Sequence, residues 1–404
     1  MIERLMVFFA SSLDLRRIDQ EHTPYLFELL KKYPCSRINN IPEADLIPTL
    51  MTGRYPHEHG IWQVRLRSED GINPNHPLDY IPDIVTSTTQ CLLHLFKGPY
   101  DLAAVPYGRR RRFEIFKTRY RTREKKNYLT INGFDTILNI IGEGDCDYIF
   151  NPELDKLDDI VSKLFHNDLR FELVQDYGLD RLQHWFLDNK ERIADSYKKM
   201  DGFIKFLHSE CKKRGITLMI LSDHGMELVK SSVNIIKKID ELGIKKNEIT
   251  YFIEAPKARF WFHSDSAREK MLDYLSENTD GVLLSYKDMH KFNIKFEDDR
   301  YGEYYFILNP GTIFFPNDYY HPIANLYLGL TEKQQRSRLV SPLYRGYHGY
   351  MPYSECEKGF LMLLDEHHKT SHEEIEIIDF APSVLNLLGY EKPESLNGIN
   401  VFDD

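Results

Sequence analysis

The chain has 404 residues, 42% of them hydrophobic, 28% charged and 13% aromatic, a globular composition that excludes disordered, collagen-like and small stapled chains. Its 52 basic against 62 acidic side chains leave a formal charge of −10, which argues against a protein built mainly to coat nucleic acid. No apolar run approaches the roughly 20 residues of a membrane-spanning helix, and Met1 to Asp14 lacks the pattern of a secretory leader, so a cytoplasmic protein without membrane contact is expected.

In chain order, residues 5–10 form a short continuous apolar run, the signature of a buried parallel strand, and Thr23-Pro24 opens a helix behind it. A long stretch, 65–177, then interrupts the core pattern. Residues 216–221 repeat the apolar run and end abruptly in Ser222-Asp223-His224-Gly225. A second interruption, 229–344, carries strand-like runs at 258–262 and 304–308 and a helix at 265–276, which suggests a small inserted α+β cap. Residues 375–378 read as a last strand and 381–388 as a helix stopped by Gly389. The class is α/β, with polar residues at strand ends, where open parallel sheets bind ligands. Five scattered cysteines, Cys35, Cys91, Cys146, Cys211 and Cys356, contain no Cys-x-x-Cys pair and are expected to be reduced and buried.

Three places carry metal-ligand chemistry. Asp223 and His224 sit together on a tight turn at a strand end. Asp180 and His184 are four apart, which on a helix sets a carboxylate and an imidazole on one face. His348 lies before Gly349 in a glycine-bracketed loop. Carboxylates with imidazoles suit zinc and similar divalent ions. His367, His368 and His372 read more simply as part of a polar loop, and Trp185 as either a site wall or core.

Taken in order, these segments resemble the alkaline phosphatase superfamily, in its type I phosphodiesterase/nucleotide pyrophosphatase branch. Thr23-Pro24-Tyr25-Leu26 with Leu29-Leu30 is similar to the family's "TPNLxxLxxxG" helix, and residues 50–61 resemble its "LxTGxxPxxHGI" turn. Ser222-Asp223-His224-Gly225-Met226 matches "SDHGM", His348-Gly349-Tyr350 matches "HGY", and 378–398 resembles the closing "xDxAPTxLxLLGxxxPxxxxG". The resemblance implies an alkaline-phosphatase-like sandwich, a single catalytic domain over 1–404 with insertions at about 65–177 and 229–344, around a central mostly parallel sheet flanked by helices. It also implies two divalent ions, zinc above all, with manganese or magnesium as alternatives, clamping a phosphoryl group. Asp180, His184 and His348 match the ligands of one ion, and Asp223 and His224 two ligands of the other. The third ligand, an Asp opening the family's "DGxRxD", falls on Asp14 if Asp14-Leu15-Arg16-Arg17-Ile18-Asp19 is the match. If the strand ends at Ser11 instead, that ligand is lost.

The resemblance further implies a Thr or Ser nucleophile nine residues before Thr52, where this chain has Glu43. Glu43 could orient a water, ligate an ion or mark a chain that has left the covalent route. Gln63 or Arg65 stand in for the family's Asn as phosphoryl contacts. Residues 107–126 hold ten Lys or Arg and two Glu, either a solvated face or a contact for a polyanion. The expected activity is metal-dependent hydrolysis of a small phosphorylated or nucleotide-linked substrate. The alternatives are a nucleophile-deficient binding or scaffold relative, and a phosphotransferase or sulfatase of the same superfamily.

Overall fold

The computed structural model describes residues 1–42, 46–63, 67, 85, 125–151, 154–165, 168–318 and 344–403. The chain divides into two compact units, one made of Met1–Ile61, Thr122–Leu228 and Pro352–Asp404, the other of Trp62–Arg121 and Val229–Met351.

The first unit is built on a seven-stranded sheet. In chain order its strands are β1 (Leu5–Ala10), β2 (Cys35–Asn39), β3 (Cys146–Asn151), β4 (Phe171–Asp176), β5 (Thr217–Ser222), β6 (Gly359–Leu363) and β7 (Glu374–Glu376). Their spatial order is β7-β2-β6-β5-β1-β4-β3. The pairings β3–β4, β4–β1, β1–β5 and β2–β7 are parallel, and β6 runs antiparallel between β5 and β2. The mostly parallel α/β sheet expected from the apolar runs is present. Strands β3 and β4 fall inside the stretch 65–177, and both belong to the central sheet.

β1 is buried along its whole length because it lies between β4 and β5 with structure on both faces. Met6, Phe8 and Ala10 face a cluster with Leu26, Leu29, Ile204, Leu207 and Cys211. Those partners come from helix α1 (Pro24–Lys32) and the long α3 (Lys190–Lys213), with α2 (Gly178–Phe186) between β4 and α3 in the chain. Phe8 packs on Phe203 with ring centroids 5.4 Å apart, and burying a side chain of that size stabilises by roughly 1.5–3 kcal/mol. Pro24 occupies the first position of α1, where a missing N–H costs nothing. The next free amides, those of Tyr25 and Leu26, donate to the Asp201 carboxylate of α3 at 3.1 and 2.7 Å. α1 is thus fixed against α3 by a cap supplied from another helix as well as by its apolar face.

The second unit contains a four-stranded antiparallel sheet in the order Ile249–Ile253, Lys257–Phe262, Tyr304–Leu308, Gly281–Ser285. Helix Asp265–Glu277 buries Ala267, Met271 and Leu275, at helical spacing, in a cluster with Phe260, Phe306 and Leu308. Ser264 caps it by accepting the amide of Ala267 at 3.1 Å. Among the described residues, no helix is long and apolar enough to cross a membrane.

Candidate metal centre

The parallel neighbours β4, β1 and β5 end together: Ala10 pairs with Asp176, and Phe9 with Leu221. Past these ends the apolar runs give way to Ser11-Ser12, Tyr177 and α2, and Asp223-His224. Polar side chains from three strands therefore gather at one carboxyl-terminal edge, the usual ligand position of an open α/β sheet.

Asp180 lies in the first turn of α2 and is completely buried. His184, one turn on, brings Nε2 to 3.6 Å from Asp180 Oδ2, as the four-residue spacing predicts. From the next strand but one, His224 comes close enough that its ligand atom and that of Asp180 lie within 4.8 Å. Nδ1–H of His224 donates to the Gly225 carbonyl at 2.8 Å, which assigns the remaining lone pair to Nε2, the atom a metal would take. Burial drives the Asp180 carboxyl above the ordinary carboxylate range, aided by Asp223 and opposed by His184 and His224. Burial acts against a charged His224, yet the carboxylates of Asp223, Asp180 and Glu357 and the bond to Gly225 outweigh it, so its pKa is raised. A buried carboxylate facing an imidazole of fixed tautomer is a donor set that a divalent ion fits.

Asp223 lies against the same imidazole, its Oδ2 3.4 Å from His224 Nε2. Its Oδ2 accepts the Ser11 hydroxyl at 2.8 Å, and its Oδ1 accepts the amides of Ser12 at 2.9 Å and His224 at 3.0 Å. Ser12 in turn donates its hydroxyl to the Gly225 carbonyl at 3.1 Å, and Gln183 of α2 donates to the Ser12 carbonyl at 2.8 Å and hydroxyl at 3.1 Å. The Asn40 side chain donates to the carbonyls of Asp223 and Glu357.

Asp14, expected as the sixth ligand, lies beside the turn that follows His224, where the Met226 amide approaches its Oδ2 at 3.4 Å. β1 ends at Ala10, and Asp14 lies beyond it at the start of a short 3-10 turn, Leu15–Arg17. Both its oxygens are held by Arg16, whose Nη2 approaches Oδ2 at 2.7 Å and Nε approaches Oδ1 at 3.0 Å, and the Arg16 amide donates to Oδ1 at 2.9 Å. A guanidinium thus occupies the carboxylate. Gln63 is buried in the second unit. His348 belongs to that unit too, half-buried directly after Gly346–Tyr347, its ring stacked on Tyr347 at 5.9 Å. Glu43 and Arg65 lie outside the described residues. So does most of 107–126; of its described members, Lys125 donates to the carbonyls of Glu143 and Cys146. His368 pairs with Asp365 at 2.8 Å.

Sequence reasoning named Ser11 only as an alternative strand end and did not single out Ser12, Gln183 or Asp176; Ser11-Ser12 could have been found as the polar pair ending an apolar run. Asp176, the last residue of β4, accepts the Asn151 amide at 2.5 Å and the Gly178 amide at 3.2 Å, and so anchors the start of α2. Burial pushes its carboxyl up to about 6. With the folded value above the unfolded one of about 3.9, its contribution to stability is complete below pH 4 and is lost as pH rises through about 6. A carbon-13 titration of the Asp176 carboxyl is expected to show its midpoint near 6; a midpoint below 4 would contradict this reading.

Residues 117–328 match the type I phosphodiesterase / nucleotide pyrophosphatase family. No match is found among curated proteins. Among solved structures, the chain resembles murine ectonucleotide pyrophosphatase / phosphodiesterase 5 at 12% identity and a TM-score of 0.65, over 96% of each chain. Its human counterpart is 13% identical, with a TM-score of 0.64 over 98% of this chain and 97% of that one. The murine protein in an inactive, threonine-to-alanine form in complex with AMP gives 12% and 0.63 over 97% and 96%. At such identities the likeness establishes the shared fold.

Proposed function

The chain belongs to the type I phosphodiesterase / nucleotide pyrophosphatase family, hydrolases of phosphoric ester and pyrophosphate bonds that depend on divalent metal ions, and on that premise we propose that it hydrolyses a small nucleotide-linked phosphodiester or pyrophosphate. The observation that carries the proposal is the approach of Asp180 and His224 to within 4.8 Å at the sheet edge. His348, on the strength of its "HGY" match, is proposed as a further ligand, and His184 as a neighbour that adjusts the charge on Asp180. When bound, a divalent ion there supplies a Lewis acid that polarises the phosphoryl oxygens.

The chain's own residues do the rest. Asp180, completely buried, and His224, held by Gly225, fix where positive charge sits, so the substrate phosphate is oriented before reaction. Gln63 and Arg65 are proposed to donate to its non-bridging oxygens. Glu43, at the position where the family carries a hydroxyl, is proposed to orient the attacking water and accept its proton. A nucleotide substrate is supported by the AMP complex of the murine relative.

The absence of a hydroxyl at position 43 favours one second reading, a protein that binds nucleotides without turning them over. The test uses the full chain with bis(4-nitrophenyl) phosphate. Turnover that a chelator removes, that zinc, manganese or magnesium restores, and that His348→Ala lowers by ~10²-fold or more is the expected result. AMP binding without turnover under every metal condition would replace the first reading with the second.

A further inference from the structure

We infer that this chain holds one divalent ion where its family's arrangement implies two, because Ser11 stands in place of the carboxylate that the second ion requires. The inference rests on the metal-dependent reading above and concerns the first unit alone.

The register comes from the strand. Ala10 is the last residue of β1, and the Ser11 amide still donates to the Asp176 carbonyl at 2.9 Å, so Ser11 is the residue at the sheet edge. Ser12 follows with φ of +62°, a left-handed conformation that glycine adopts freely and serine seldom. Ser11-Ser12 therefore stands where "Asp-Gly" opens "DGxRxD". In that register the motif's Arg and second Asp fall on Asp14 and Arg16, the two types exchanged, and these two residues form the 2.7 Å ion pair described above.

The chemistry of the replacement is specific. Two carboxylates set a hydrogen-bond length apart repel unless a cation or a shared proton lies between them. Ser11 removes one charge and contributes a proton, so the 2.8 Å Ser11–Asp223 contact is satisfied with no cation. Both Asp223 oxygens already accept hydrogen bonds, from Ser11 on one and from the Ser12 and His224 amides on the other. The serines are themselves completely buried, and Ser12 is tied to Gly225 and Gln183. A second ion would have to break this network and would find one carboxylate, Asp223, beside an imidazole, His224, that is already grouped with Asp180. The loss matches the other departure in the chain, Glu43 in place of a hydroxyl: neither the second ion nor the hydroxyl nucleophile has its residues here.

The experiment is metal counting on the full chain, equilibrated with excess zinc, dialysed and measured by plasma mass spectrometry. One zinc per chain is expected, with the same count for Asp223→Asn, which preserves shape. Ser11→Asp is expected to gain a second equivalent, and a folded Ser11→Asp that stays at one would overturn the assignment of Ser11. Two zinc ions in the parent chain, or loss of zinc from a folded Asp223→Asn, would overturn the inference while leaving metal-dependent hydrolysis standing. No zinc at all would overturn both.

Discussion

His224→Gln is expected to leave a folded chain that retains no divalent ion and hydrolyses phosphodiesters ~10³-fold more slowly, about 4 kcal/mol in the barrier. The size follows from what a Lewis acid contributes to a developing phosphoryl charge, several kcal/mol. The direction follows from the two ends of the ring. Nδ1 is committed to the Gly225 carbonyl at 2.8 Å, which leaves the lone pair on Nε2, the nitrogen 3.4 Å from Asp223 Oδ2, to take an ion. A glutamine amide can keep the bond to Gly225 or offer its oxygen, and its geometry does not let it do both as the imidazole does. Metal content and kcat/KM measured together decide the matter, with circular dichroism to confirm folding. A variant that keeps its metal and loses less than about tenfold in rate would remove His224 from the centre.

Gly359→Ala is expected to cost about 3 kcal/mol or more of stability and to weaken metal retention with it. Gly359 starts β6, which runs antiparallel to β5 with Phe360 opposite Ser222. A methyl group there would sit 2.2 Å from the Ser222 carbonyl and 2.4 Å from that of Asp223. Those are backbone atoms of the strand that carries the centre, so no rotamer change relieves the clash. The Asp223 carbonyl is also held by Asn40, which resists the needed displacement from the other side. Moving Ser222 and Asp223 moves His224 with them, so the denaturant midpoint and zinc affinity should fall together. Loss of stability below 1 kcal/mol would show that β6 approaches less closely than the structure has it.

Much of this was legible in the residue order. Leu5–Ala10 and Tyr304–Leu308 were recognisable because fully apolar runs bounded by polar turns have few other uses. The Asp180–His184 pair was readable because helical spacing puts such residues on one face whether or not they bind anything. Phe171–Asp176 was hidden for a physical reason. All six residues are buried, yet three are Glu172, Gln175 and Asp176, which are accommodated by partners distant in sequence. Gln175, for example, accepts the Tyr148 hydroxyl at 2.6 Å, a contact that no local pattern announces. Asp14 drew attention because Arg17 and Asp19 follow at the spacing of "DGxRxD". Spacing could not reveal that Arg16 folds back onto Asp14.

The Gly225 carbonyl is shared by the His224 ring and the Ser12 hydroxyl, and Ser12 is in turn held by the Gln183 side chain. Any tilt of the imidazole on taking a ligand must redistribute that shared oxygen, and the change is passed through one serine to an amide on α2. Gln183 is thereby a built-in spectroscopic reporter: its side-chain NH2 resonances register occupancy of the centre through the Ser12 hydroxyl they donate to.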